Sequence, residues 1–169
     1  MNKRVLLIVV LIICFVSGCG YSAHKKYYNE IADYQKIWEL SGFRHGYEDK
    51  SPLFPIEIDD LEVEKFYCRY DEQLPLGEGI QILLEIVYDD LSFKAELNRI
   101  SEIALENKEN FTDSDLLAYY IQLGENGCWE YVLIDEEEQI VNYVFLYNLP
   151  EKEIEFEKTF LPNNYVDYG

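Results

Sequence analysis

Histidine is almost missing from this 169-residue chain: only His24 and His45 occur. A nucleophile paired with a base that titrates near neutrality therefore has little to draw on beyond His45. No G-x-S-x-G run accompanies it, and "LSGFRHG" brings Ser41 and His45 together only in sequence. Cysteine is scarce too: Cys14, Cys19, Cys68 and Cys128 are too dispersed to make a zinc site. A glycine-rich phosphate loop is lacking, because Gly77-x-Gly79 precedes a strand pattern and not a helix. The largest deficit is positive charge. Fourteen Lys and Arg stand against 33 Asp and Glu, a net charge of −19. Such a surface repels nucleic-acid phosphate, which excludes nucleic acid as a partner and makes any charged partner cationic. The chain is nonetheless no disordered acidic tail, since 49% of it is hydrophobic and 15% aromatic.

Long apolar runs are also few. The clearest, Val5–Val16, is 12 residues long. As a helix it spans ~18 Å, well short of the ~30 Å hydrocarbon core of a bilayer. Lys3 and Arg4 precede it and the small residues Ser17 and Gly18 follow, the layout of an export signal. Val16-Ser17-Gly18-Cys19 resembles the lipobox of bacterial lipoproteins, with Val16 where leucine is usual. The resemblance covers residues 1–19 alone. It implies that the Cys19 thiol receives a diacylglyceryl group, that the chain is cut between Gly18 and Cys19, and that Cys19 becomes the first residue. An ordinary signal peptide and a short uncleaved anchor are the other readings of the same run. Two acyl chains hold a protein stably on a membrane. Gly20 follows where aspartate would favour inner-membrane retention, and the Lys-, Glu-, Ile-, Tyr- and Asn-rich composition resembles that of low-GC Gram-positive bacteria. The expected location is the cell membrane, lipid-anchored, on its extracytoplasmic face. Loss of Lys3 and Arg4 with the signal takes the net charge from −19 to −21.

The expected organisation is a signal peptide over residues 1–18, a lipidated cysteine and tether over 19–26, and one domain over 27–169. Tyr27, Ile31, Tyr34 and Trp38 step by four, three and four, which predicts a helix from about Tyr27 to Ser41, stopped at Gly42. Strand character follows from Val63 to Tyr70. From Ile80 to Tyr88, Ile80, Ile82, Leu84 and Ile86 alternate with Gln81 and Glu85. Phe93, Leu97, Ile100 and Ala104 predict a second helix, capped at Asp90 or Ser92. Three strands then follow in a meander: Leu116–Leu123, Cys128–Ile134 and Ile140–Tyr147. Their short loops make neighbours antiparallel. The fold class predicted is α+β, with an antiparallel sheet of about five strands and two helices packed on one face, in the order α-β-β-α-β-β-β.

A sheet covered on one side leaves its other side to water. Trp129, Tyr131 and Leu133 are the more apolar set of the middle meander strand and are expected to face the helices. Glu130 alternates with them and is expected on the open side, joined there by Tyr119 or Tyr120 and by Tyr143 or Asn142. Tyrosines ringed by carboxylates would make a face for a basic protein or peptide. Aspartate pairs at turns supply hard oxygen ligands, but none follows the calcium-loop spacing, and no cofactor or metal is implied. Cys68 and Cys128 lie in strand-like stretches that need not meet, although an oxidising compartment would permit the bond. The function expected is that of a non-enzymatic binding module for a protein or small ligand. Alternatives are an immunity-type inhibitor of a basic toxin and a cell-envelope hydrolase working through an Asp/Glu pair or His45.

Overall fold

The computed structural model describes residues 24–40, 51–73, 77–107 and 111–165. Seven strands form one sheet: β1 (His24–Tyr28), β2 (Glu62–Gln73), β3 (Gly77–Val87), β4 (Leu105–Asn107), β5 (Leu117–Leu123), β6 (Cys128–Asp135) and β7 (Ile140–Tyr147). Their spatial order is β1-β2-β3-β7-β6-β5-β4, and every neighbouring pair is antiparallel. A short helix, α1 (Tyr34–Ile37), follows β1, and a longer one, α2 (Asp90–Ile103), links β3 to β4. The expected class, an antiparallel sheet with helices, is therefore present, but the sheet has seven strands and the meander is inserted in reverse. Its last strand β7 lies beside β3, so α2 has to carry the chain from the middle of the sheet to its far edge. Four strand spacings of ~4.8 Å separate β3 from β4, about 19 Å. Fourteen helical residues extend ~21 Å, which matches that crossing. Asp89 caps α2 by accepting from the backbone N–H of Leu91 and Ser92, one residue earlier than expected.

The first predicted helix is not one continuous helix. His24–Tyr28 is an edge strand paired with β2, and only Tyr34–Ile37 is α-helical, after a 3-10 turn at Ile31–Asp33. Tyr34 and Ile37 are buried, whereas Tyr27 and Ile31 are exposed. The run Lys25-Lys26-Tyr27-Tyr28 gains ladder hydrogen bonds from β2 that a helix start would not have. β1 also begins inside the segment read as tether. Ser41, Gly42 and His45 lie outside the described residues, as do Gly18 and Cys19.

Both faces of the central strands β3, β7 and β6 are buried. On the helix side, Ile80, Ile82, Leu84 and Ile86 of β3 pack with Phe93 and Ile100 of α2, with Tyr34 and Ile37 of α1, and with Leu53, Phe54 and Ile58. The other side was expected to be open. Instead the C-terminal segment 151–165 lies over it and inserts Ile154, Phe156 and Leu161 among Trp129, Tyr131, Leu133, Val144 and Leu146. Trp129, Tyr131 and Leu133 thus face away from the helices, the reverse of the expectation. Val132, Ile134 and Cys128 take the helix side. Both faces of β6 are apolar, so alternation alone does not say which face the helices take. The tail is fastened by Tyr131 Oη donating to the Phe160 carbonyl at 2.8 Å, Asn163 N–H to the Phe111 carbonyl at 2.8 Å, and Tyr165 Oη to the Leu149 carbonyl at 2.7 Å. Gly124, with φ +81°, turns β5 into β6, where a Cβ would stand 2.7 Å from the Trp129 ring.

A polar staple fixes the start of the tail. Arg69 and Asp71, both 1% exposed, form a two-pronged ion pair on β2. Arg69 also donates to the Glu153 carbonyl at 2.6 Å and pairs with the Glu153 and Glu155 carboxylates, while Gln81 bonds the same backbone at Glu153 and Glu155. Hydrogen bonds from Lys25 and then Arg69 hold Glu153 down at about 2, from an ordinary 4.5. A carboxylate lowered on folding contributes stability that is complete above its unfolded value and is lost as pH falls through the folded one. Stability to urea is therefore expected to decline as pH drops from about 5 toward about 2, with less decline in Glu153→Gln. Equal acid sensitivity in that variant would place the titration elsewhere.

Cys68 and Cys128 are free and buried on the same face. Three strand spacings separate β2 from β6, roughly 14 Å, against the ~7 Å that a disulfide spans. Burial raises both thiols, Cys128 to about 12 with help from the Glu130 charge. Both are expected to titrate as free thiols after non-reducing denaturation and to react slowly in the folded protein. A missing pair of thiols in the denatured sample would contradict the sheet order.

Candidate functional site

The segment 51–56 is held down by three donors or acceptors of unrelated elements. Ser51 Oγ donates to the Glu130 carboxylate, which also accepts from Leu53 N–H at 3.4 Å. Tyr34 Oη donates to the Pro55 carbonyl at 2.5 Å. Arg99 of α2 donates to the carbonyls of Pro52, at 2.7 Å, and Leu53. Between this segment and α2 lies a groove of about 620 Å³, lined by Ser51, Pro52, Phe54, Pro55, Ile56, Glu96 and Arg99. Its walls are mostly apolar, and Ile56 on the rim is 72% exposed.

Beside the groove runs a hydrogen-bonded chain that passes from half-buried Arg99 and Glu96 to buried Tyr143 and Tyr88. Arg99 grips Glu96 through Nε, at 2.8 Å, and Nη2. Glu96 accepts from Tyr143 Oη at 2.6 Å. That donation uses the single Tyr143 proton, so Tyr88 Oη, 2.7 Å away, is the donor to Tyr143. Burial raises the Tyr143 and Tyr88 hydroxyls far above the ordinary phenol range, and the nearby Glu96 adds to it. Burial works against the Arg99 charge, but Glu96 more than offsets it. The hydroxyl protons of both tyrosines and the charge of Arg99 are therefore fixed at neutral pH. The arrangement suits recognition: an apolar wall with one guanidinium at its edge, held rigid from behind.

The predicted partner face does not come together as expected. Glu130 and Tyr143 are each 0% exposed and point to the helix side. Tyr119 is half-buried on that side, in a cross-strand row with Val132, Tyr143 and Leu84. Tyr120 is half-buried on the opposite face, under the C-terminal segment. The groove residues were missed. Their signal in the sequence is Glu96 and Arg99 one turn apart on α2, next to the buried stripe of Phe93 and Ile100. Nothing in the sequence ties them to Ser51 or Phe54.

Carboxylates crowd one end of the sheet, and at the other they are partly offset by lysines. Register places Glu62, Val87, Ile140 and Asp135 in line at one end. Asp89 and Asp90 follow there, as do the turn Asp135–Glu138 and Asp115, which flank a cleft of about 380 Å³. Lys65 stands opposite Glu85, and Lys94 lies one turn into α2. At the other end, His24 of β1 pairs with Glu72, beside Gly77, Tyr147 and Cys128. Lys25 and Lys26 are exposed there and pair with Glu153 and Glu72, and Glu78 and Glu125 lie at the same end. Among the described residues, no three of His, Cys, Asp and Glu stand together as metal ligands, and no helix is long and apolar enough to cross a membrane. Comparison with protein-family models, curated proteins and solved structures yields no match.

Proposed function

We propose that the protein is a membrane-anchored, extracytoplasmic lipoprotein whose domain is a binding module, with the groove between Phe54 and Arg99 as its ligand site. The observation that carries this reading is the groove itself: apolar walls, a rim residue as exposed as Ile56, and a backing chain of tyrosines and an Arg–Glu pair that fixes shape without offering a mobile proton. The anchor rests on Val16-Ser17-Gly18-Cys19. Its test is Cys19→Ala, which is expected to abolish lipid labelling and membrane retention. Unchanged retention and labelled mass in that variant would refute the anchor. The groove is tested by capture of envelope components on the soluble domain. Ile56→Asp is expected to lose what the wild type captures, while Leu91→Asp, at an 81% exposed site on α2, keeps it. Equal capture by both would remove the groove from consideration.

The carboxylate end of the sheet favours a second reading, an immunity-type inhibitor of a basic toxin. Opposite charge speeds and orients such an encounter, and it is screened beyond ~8 Å at physiological salt. Capture through that end would fall steeply with ionic strength and with Glu137→Lys, and would ignore Ile56→Asp.

A further inference from the structure

We propose that the anchored domain stands upright on the bilayer, with the His24 end of the sheet on lipid and the carboxylate end outermost. This rests on the anchoring of Cys19 proposed above. Two independent features of the fold place the ends.

The first is where the chain enters. β1 pairs antiparallel with β2, His24 against Glu72 and Tyr28 against Cys68. The chain therefore comes into the sheet at the end where β2 finishes and β3 begins. Only four residues separate Cys19 from His24, five Cα-to-Cα steps. Fully extended they reach at most ~18 Å. From Gly77 to Val87, β3 is ~34 Å long. The tether thus keeps one end of the sheet close to the headgroups and leaves the far end free to stand off or to lie down.

The second feature decides between standing and lying. Glu62, Asp89, Asp90, Asp115 and the turn Asp135–Glu138 all sit at the far end. Lying flat would bring those carboxylates against anionic headgroups, within the ~8 Å over which charges feel each other at physiological salt. At the near end Lys25 and Lys26 pair with Glu153 and Glu72, which offsets part of the negative charge there and leaves that end the less repelled of the two. Tether and charge therefore act in one direction, and a partner arriving from outside meets the carboxylate end first.

The test uses the full-length lipidated protein on vesicles of phosphatidylglycerol and phosphatidylethanolamine. One dye is attached through Glu125→Cys, in the turn between β5 and β6 at the near end, or through Glu137→Cys at the far end. Both positions are exposed, and Cys68 and Cys128 are buried. Nitroxide-headgroup lipid serves as quencher. The Glu125 dye is expected to be quenched severalfold more than the Glu137 dye, and the difference is expected to shrink on neutral phosphatidylcholine vesicles. Equal or reversed quenching, with the Cys19 lipid verified by intact mass, overturns the orientation and leaves the anchor standing. Absence of the lipid together with loss of vesicle binding overturns both.

Discussion

Arg69→Ala is expected to lower the free energy of unfolding by about 3–5 kcal/mol, read by urea titration. Most of that loss comes from the partner left behind. Asp71 is as deeply buried as Arg69, and its carboxylate takes two of the guanidinium's N–H groups. With Arg69 gone, Asp71 is left as a buried carboxylate without its partner, which costs stability. The tail suffers as well, because Arg69 supplies bonds to the Glu153 carbonyl and to the Glu153 and Glu155 carboxylates. Gln81 still bonds that backbone at two points, so the tail is expected to loosen without leaving. Trp129, its ring tilted against Tyr165 at 5.1 Å beneath the tail, reports that change by its fluorescence. Replacing both charges, Arg69→Met with Asp71→Leu, is expected to recover much of the loss, since two apolar groups leave no orphan charge. A single variant that loses under about 1 kcal/mol would mean that water already reaches the pair.

The same staple explains why the second sheet face was not legible in the sequence. Ile154 and Phe156 stand two apart in "EIEFEKTF", a strand-like alternation, yet the segment forms 3-10 turns over a sheet face and not another strand. Its position depends on Arg69, which is more than 80 residues away. Local patterns were reliable where one face of an element decides: Ile80 to Ile86, the stripe on α2, and the bounds of β6 and β7. They failed in the first part of the predicted helix, from Tyr27 to Asp33, where tyrosines at helical spacing are also good strand formers and an edge of β2 was waiting. Strand order was beyond reach for a different reason. Short loops fix β5, β6 and β7 as neighbours but do not say which end of that meander meets β3, and only the length of α2 settles that β4 lies at the far edge. The groove was hidden because its two walls, residues 51–56 and α2, are joined by contacts from Arg99 to Pro52 and Leu53, over 45 residues apart.

Glu130→Lys is expected to prevent folding at temperatures where the wild type is stable. A charged residue in the middle of a strand reads as facing water, and Glu130 was placed on an open face for that reason. Its surroundings are the opposite. The residue is 0% exposed on the helix side, across from Phe145 and between Cys128 and Val132. Its carboxylate accepts from Ser51 Oγ and from Leu53 N–H, which pull the groove segment onto the sheet. An ammonium there would set donor against donor and bury a charge among apolar neighbours, a cost of several kcal/mol. Total stability of an ordinary domain is about 5–15 kcal/mol, so that cost alone removes much of it. Glu130→Gln keeps an acceptor oxygen for the same two donors and is expected to fold, losing about 1–2 kcal/mol for two weaker bonds. Circular dichroism melts of the two variants separate the readings. If Glu130→Lys melts within a few degrees of the wild type, its side chain reaches solvent. Residues 51–55 would then be held by Arg99 and Tyr34 without it, and the groove would have to be a looser structure than its hydrogen bonds describe.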